Sequence, residues 1–373
     1  MSHSQQYREP QRILMIKAHS MGIGDILRSS AAWRALQDHW PGVELHLLFL
    51  SKHAGYPSEG LIAQHHLLSS ATFLTIREGT PNDPVVRKVS NTTIWKQVWE
   101  LSRRLKPDLV IDFEWAGTRT SLITRIAAWA AGAQSLGIAQ FPTRNWYYSQ
   151  TAAPTRSFVR KYGLDEPFDY TWRDFVVLDA LGIQRGETSI ELKVSPEAVA
   201  LVEPMLPARS AQGVLRLGLN IGCATQGAAH KRMALALLAS HIKALQQQTP
   251  IDLVLTGAAD ESAINEDFIA ALKTLNAVPQ VCVNLAGRTN IQTLPALIDA
   301  CDVFVSTDSG PYHMAVALRK PTLCWLTYYE ATSVHKHAWV RCLVNPEVSD
   351  FLTTIETLKV DINVPSPSAI GVL

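Results

Sequence analysis

Residues 284–326, NLAGRTNIQTLPALIDACDVFVSTDSGPYHMAVALRKPTLCWL, restrict the folds open to this chain more than any other stretch. Leu294, Leu297, Ile298 and Cys301 recur at helical spacing, and the short apolar run Val303-Phe304-Val305 after them predicts a buried strand. That strand ends in Ser306-Thr307-Asp308-Ser309-Gly310. Pro311 then opens a second helix, where the amide it lacks would have had no partner. The amides just after the strand, backed by the helix dipole, make an anion site, with Asp308 and His313 beside it. A parallel α/β sheet holds the phosphates of a nucleotide at its carboxyl edge in this way.

The same rhythm runs through the rest of the chain. Ile13-Leu14-Met15-Ile16 is a continuous apolar run, as expected of a strand buried on both faces. A glycine-containing loop from Lys17 to Asp25, a helix from Ile26 to His39 and a strand from Val43 to Leu50 complete a βαβ unit. Further strands are expected at 109–113, near 136–138, and at 215–220, 253–256, 281–285, 303–306 and 322–326, with helices at 94–105, 121–131 and near 170–181. Residues 51–93 have no clear period, and 141–162, aromatic and basic, is expected to be a functional loop.

A chain of 373 residues is too long for one ordinary core, so two domains follow. The expected divisions are an arm over 1–11, an N-terminal Rossmann-like domain over 12–185, a proline-containing linker over 186–213, a C-terminal Rossmann-like domain over 214–345, and a C-terminal segment and tail over 346–373. The fold class is α/β, two parallel-sheet halves facing across a cleft.

With 34 basic against 33 acidic residues the net charge is +1, so bulk electrostatics predict no nucleic-acid partner. Five scattered cysteines without a CxxC pair suggest neither zinc nor a disulfide framework, and buried reduced thiols in a cytoplasmic protein are expected. The polar start MSHSQQYREPQR has no apolar core of a signal peptide. No apolar run is long enough to cross a bilayer, so membrane contact is expected to be peripheral at most.

Three more junctions carry candidate chemistry. Gly22-Ile23-Gly24-Asp25 closes the first strand–helix loop and puts a carboxylate at the carboxyl edge of the sheet. The plain alternative is an acidic residue facing a helix dipole. It is no dinucleotide fingerprint, because position 27 is Leu27. The loop from Gly222 to Arg232 is small and polar, and ends in Lys231-Arg232, which could neutralise a departing diphosphate. Exposed cations at a helix start are its plain alternative. After the strand at 253–256, Asp260 or Glu261 could accept hydrogen bonds from ribose hydroxyls, or simply begin a helix. Asp112-Phe113-Glu114 places two carboxylates on one face of a strand, but no further ligand lies nearby, and no metal site is expected. Arg119, Arg125, Arg144, Arg156, Arg160 and Lys161 could meet an anionic acceptor or be ordinary solvated cations.

Taken in order, these segments resemble glycosyltransferase family 9, the ADP-heptose:lipopolysaccharide heptosyltransferase family. The matching stretches are Ile16-Lys17 with Gly22-Ile23-Gly24-Asp25; Asp112-Phe113-Glu114-Trp115 with Arg119-Thr120-Ser121; Asn220-Ile221-Gly222-Cys223 with Lys231-Arg232; and residues 284–326 throughout. The resemblance implies a GT-B fold, with nucleotide sugar on the C-terminal domain and acceptor on the N-terminal one. It puts the catalytic base on Asp25 and the phosphate-binding lysine on Lys231, with Gly24 and Thr225 as further donor contacts. It puts the ribose carboxylate on Glu261 and the diphosphate turn on Asp308, Ser309 and Gly310 with His313 beside it; Lys17, Arg119 and Arg144 are the expected acceptor contacts. It also implies inversion at the anomeric carbon, an ADP-sugar donor, no cofactor, and a saccharide or lipopolysaccharide-core acceptor met at the cytoplasmic face of the inner membrane. The Lys17–Asp25 loop is longer than the family's usual form, and Met233 stands where tryptophan is common. The competing expectations are a family member using another nucleotide sugar or a protein acceptor, and a non-catalytic nucleotide-sugar-binding protein.

Overall fold

The structure is a computed structural model that describes residues 9–18, 22–53, 55, 57–78, 87–115, 117–164, 171–222, 229–328 and 334–362. Thr225, the loop at 79–84 and the last residues of the expected tail lie outside the described residues. The chain divides into two compact units, with the boundary between Ile190 and Glu191.

Unit 1 is built on six parallel strands: β1 (Arg12–Ala18), β2 (Glu44–Ser51), β3 (Ser70–Thr75), β4 (Leu109–Asp112), β5 (Gln134–Ile138) and β6 (Gln150–Ala152). Their order across the sheet is β3-β2-β1-β4-β5-β6. Unit 2 repeats the plan with β7 (Leu215–Asn220), β8 (Ile251–Thr256), β9 (Cys282–Asn284), β10 (Val303–Ser306), β11 (Thr322–Leu326) and β12 (Val340–Val344), ordered β12-β11-β10-β7-β8-β9. In each sheet the first strand lies between the second and the fourth, so chain direction reverses across its middle. Doubly wound sheets of this order place their ligands at that reversal, beyond the carboxyl ends of the strands.

Burial on both faces explains the uninterrupted apolar strands. Ile13, Leu14, Met15 and Ile16 have no exposed surface, nor have Leu217, Leu253, Val303 and Val305. Gly218 on β7 lies directly opposite Phe304 on β10. A methyl group there would come within 2.6 Å of the Phe304 ring and 2.7 Å of the Cys301 sulfur. Glycine is therefore what lets an aromatic ring fill the neighbouring strand position.

Several expectations need correction. The supposed linker is largely part of unit 2: Ser195 caps a helix at Pro196–Val202, and Ala198 and Val202 pack on Val254, Leu297 and Cys301. Three prolines suggested a boundary, but Pro196 and Pro204 each sit at a helix start, where proline is tolerated. The segment set outside the C-terminal domain forms a helix at Val348–Ile362, whose Phe351, Ile355 and Leu358 complete the unit 2 core. The supposed loop at 141–162 holds a 3-10 turn (Pro142–Tyr147), the edge strand β6 and a helix at Thr155–Tyr162. Met233, where tryptophan was the common residue, is buried in the unit 2 core.

Gly218→Ala should destabilise the protein by about 1–3 kcal/mol through overpacking. A fall in the denaturant midpoint with an unchanged slope is the expected readout, since no new surface is exposed on unfolding.

Candidate functional site

In unit 2 the carboxyl ends of β7 and β10 lie side by side, with Ser306 opposite Asn220. Beyond β10 the chain turns into the helix Gly310–Ala317 through Thr307, Asp308 and Ser309. Thr307 donates its hydroxyl to the Gly222 carbonyl at 3.0 Å, and Ser309 donates to Asn220 Oδ1 at 3.0 Å. These bonds fix the turn against β7. As the first residue of its helix, Gly310 has an amide without an acceptor inside that helix, so the helix end keeps its partial positive charge.

Lys231 reaches the same turn. It ends a 3-10 turn at Ala229–Lys231, held to the end of β11 by Thr327 Oγ1 donating to the His230 carbonyl at 2.7 Å. Lys231 Nζ lies 2.6 Å from Asp308 Oδ2, and His313 Nε2 lies 3.8 Å from Asp308 Oδ1. His313 Nδ1 meets His335 Nε2 at 2.9 Å. The Asp308 carboxylate would itself repel a diphosphate. It positions the ammonium and the imidazole beside the helix start instead, and the ammonium carries the positive charge.

Glu261 lies under the loops that follow β7 and β8. Its Oε2 accepts from the Ala258 amide at 2.7 Å, while its buried Oε1 has no hydrogen-bond partner among the described residues. Gly222 and Gly257 make room for it: a methyl group would come within 2.2 Å of Oε1 at Gly222 and 2.9 Å of Oε2 at Gly257, whose φ is +155°. Burial raises the Glu261 carboxyl above its ordinary value of 4.5, with the Ala258 amide opposing. A carboxylate oxygen kept dry and unpaired fits a hydroxyl donor brought by a ligand.

In unit 1, Gly22 precedes the helix Ile23–Leu27 at φ 144°, a backbone that favours glycine, and delivers Asp25 to the first turn. The Asp25 carboxylate contacts the Arg28 guanidinium. Arg28 is itself buried, and desolvation lowers its pKa to about 10 against the opposing charges of Asp174 and Asp25. Lys17 Nζ binds both carboxylate oxygens of Asp174 at 3.0 and 3.1 Å. Two cations and two carboxylates thus share one buried neighbourhood at the end of β1. Burial raises the carboxyl of nearby Glu114, with Lys17 opposing, and Glu114 Oε1 accepts the Ala18 amide at 3.0 Å.

The cations expected to meet an acceptor divide. Arg119 is exposed and touches Asn91 at 3.3 Å. Lys17 is buried and committed to Asp174. Arg144 is 1% exposed and locked in the unit 1 core: it donates to Asp112 Oδ2 at 3.0 Å, to the Glu114 carbonyl at 2.9 Å and to Ser121 at 3.1 Å. Tyr148 also donates to Asp112 Oδ2, at 2.6 Å. Arg144 is a structural counter-ion, not a surface cation, because Asp112 at the end of a fully buried strand needs its charge met. Sequence spacing gave no signal for Asp174 or Arg28. Asp174 is 157 positions from the lysine it binds. Among the described residues, no cluster of three or more His, Cys, Asp or Glu side chains is placed to hold a metal ion.

Residues 207–341 match the family model described as glycosyltransferase family 9 (heptosyltransferase). The E. coli K12 protein named lipopolysaccharide heptosyltransferase 2 is 39% identical over 69 residues, 18% of this chain and 19% of its own length. The chain's alignments span about a fifth of the curated relatives they match. Solved structures extend the likeness to the whole fold. That of E. coli ADP-heptose lipopolysaccharide heptosyltransferase II superposes with a TM-score of 0.64 at 16% identity, covering 95% of this chain and 100% of its own. An E. coli heptosyltransferase solved with ADP gives 0.58 at 15%, covering 94% and 99%. The fold is that of the GT-B glycosyltransferases. Within it, most of unit 2 matches the glycosyltransferase family 9 model.

Two outcomes check the roles assigned here. Arg144→Met should cost about 3–5 kcal/mol by stranding Asp112, measured by denaturant unfolding. Glu261→Gln tests the buried carboxyl. A folded value raised above 4.5 means its stabilising contribution is present below that pH and is lost as pH rises through the raised value. The variant's melting temperature should therefore exceed that of the native protein at pH 8, with the gap narrowing as pH falls toward 4.5.

Proposed function

We propose that the chain is an inverting, metal-independent glycosyltransferase that moves heptose from ADP-heptose to a lipopolysaccharide inner-core acceptor. The observation that carries this is the Lys231–Asp308 pair at 2.6 Å, seated beside the open helix start of Gly310–Ala317. As the bond from C1 to the diphosphate breaks, negative charge grows on the departing oxygen. A fixed ammonium and a helix N-terminus meet that charge without rearranging. Glu261, with a dry and unpartnered Oε1, suits a ribose hydroxyl of the same nucleotide.

The acceptor hydroxyl attacks C1 from the face opposite the diphosphate, so the anomeric configuration inverts. Asp25 takes the proton as the new C–O bond forms, a contribution of ~10²–10⁴-fold. Arg28 holds that carboxylate in place. Of Lys17, Arg119 and Arg144, Arg119 is the one exposed and placed to meet an anionic acceptor. The names of the relatives support heptose as the sugar and lipopolysaccharide as the acceptor, and the neighbour solved with ADP supports adenine as the base. No helix among the described residues is long and apolar enough to cross a membrane, and a cytoplasmic protein touching the membrane peripherally accords with that.

Asp25→Asn should keep the thermal shift given by ADP while turnover with ADP-heptose falls ~10²–10⁴-fold. Lys231→Ala should lose most of the ADP shift itself. Unchanged turnover in the first variant would remove Asp25 from the chemistry. Donor binding without transfer, in the unaltered protein, would favour a non-catalytic nucleotide-sugar-binding protein, and a shift with UDP but not ADP would overturn the donor.

A further inference from the structure

The helices Asn91–Leu105 and Arg119–Ala131 pack side by side in unit 1. The first buries Ile94, Val98 and Leu101 and turns Trp95 and Trp99, one turn apart, outward. Trp99 meets Trp129 of the second helix edge to face, with ring centroids 5.3 Å apart. Arg125, one turn before Trp129, donates to the Trp146 carbonyl at 2.5 Å and lines one surface hollow with Trp129 and Tyr147. Trp129 and Trp146 are 77% and 78% exposed. Trp95 and the Trp99–Trp129 pair thus present partly exposed rings on neighbouring helices, and Trp146, tied to Arg125 through its carbonyl, adds a fourth exposed indole. Contiguous exposed apolar surface of this kind marks an interaction site.

Charge selects the occupant. Arg103 follows Trp99 by one turn and Arg125 precedes Trp129 by one turn, so each tryptophan stripe carries a guanidinium. Around the strip the exposed charges on these elements are Lys96, Arg103, Arg104, Arg119 and Arg125 against the acid Glu100. The chain as a whole is nearly neutral, at +1, so this excess of cations is local. Tryptophan has an apolar body and one N–H donor and sits best at the depth of lipid headgroups, and arginine beside it meets phosphate there.

We propose that this strip docks unit 1 on the surface of an anionic phospholipid bilayer, the indoles entering the headgroup region and the guanidinium groups pairing with lipid phosphate. Contact is by side chains of a folded surface and leaves the chain outside the bilayer.

The test uses the full-length protein and no sugar nucleotide, so its outcome is independent of the transferase assignment. Sucrose-loaded vesicles of phosphatidylcholine alone, and of phosphatidylcholine with phosphatidylglycerol, are sedimented with the protein at rising salt. Binding should favour the phosphatidylglycerol vesicles and weaken as salt screens the cations. The Trp129→Ala/Trp146→Ala protein should partition about tenfold less onto them, and Arg103→Ser/Arg125→Ser should abolish the preference for the anionic lipid. Because these side chains are exposed, thermal melts of both variants should match the native protein, which keeps loss of binding separate from loss of folding. Absence of sedimentation with either vesicle, or equal binding by the tryptophan variant, overturns the proposal. So does native protein that self-associates in solution when the tryptophan variant stays monomeric, which would assign the strip to a second copy of this chain.

Discussion

Hydrogen bonding of the first strand to the fourth, β1 with β4 and β7 with β10, decides where chemistry can occur in each unit. At that pairing the chain leaves the sheet in opposite directions from two adjacent strands, and the gap between the departing loops exposes backbone amides and carboxyl-end residues. Asp25 comes from the loop after β1 and Glu114 from the end of β4. Lys231 follows β7, and Asp308 and Ser309 follow β10. The Ser309–Asn220 and Thr307–Gly222 bonds hold the two unit 2 loops in register. None of these residues would meet its partner if the strands were ordered as they occur in the sequence.

Burial separates the charged groups by role. The Arg144–Asp112 pair is wholly enclosed and completed by Tyr148, Ser121 and a backbone carbonyl, so a ligand has no access to it. Lys231 and Asp308 keep 23% and 10% of their side-chain surface, and only part of their hydration has been given up. An ion pair left partly wet at a helix start can exchange partners with an incoming anion at modest cost. One sealed in a core cannot.

Much of this fold could be read from the chain because buried parallel strands are unbroken apolar runs, and β1, β2, β4, β7, β8, β10 and β11 all announce themselves in that way. The elements that escaped are those with a different signature. β6 is three residues at a sheet edge, β3 is mostly half-buried, and β12 alternates with Arg341. The helix Val348–Ile362 carries Phe351, Ile355 and Leu358 at helical spacing, yet the expected division after residue 345 set it outside the domain whose core it completes. The positions of Asp25, Lys231 and the Asp308-Ser309-Gly310 turn beyond strand ends were legible in the sequence. Asp174 and the burial of Arg144 were not, because both depend on which helix lands beside which strand, and local periodicity does not encode that.

The buried cluster of Lys17, Arg28, Asp25 and Asp174 joins the first strand of unit 1 to its last long helix, Trp172–Leu178. A ribosome emits three of these charges within the opening stretch of the chain, and the fourth only after nearly the whole unit has left the exit tunnel. Until Asp174 arrives, Lys17 lacks the carboxylate that binds it at both oxygens. The pocket around Asp25 therefore closes late in synthesis, once the helix Trp172–Leu178 is in place.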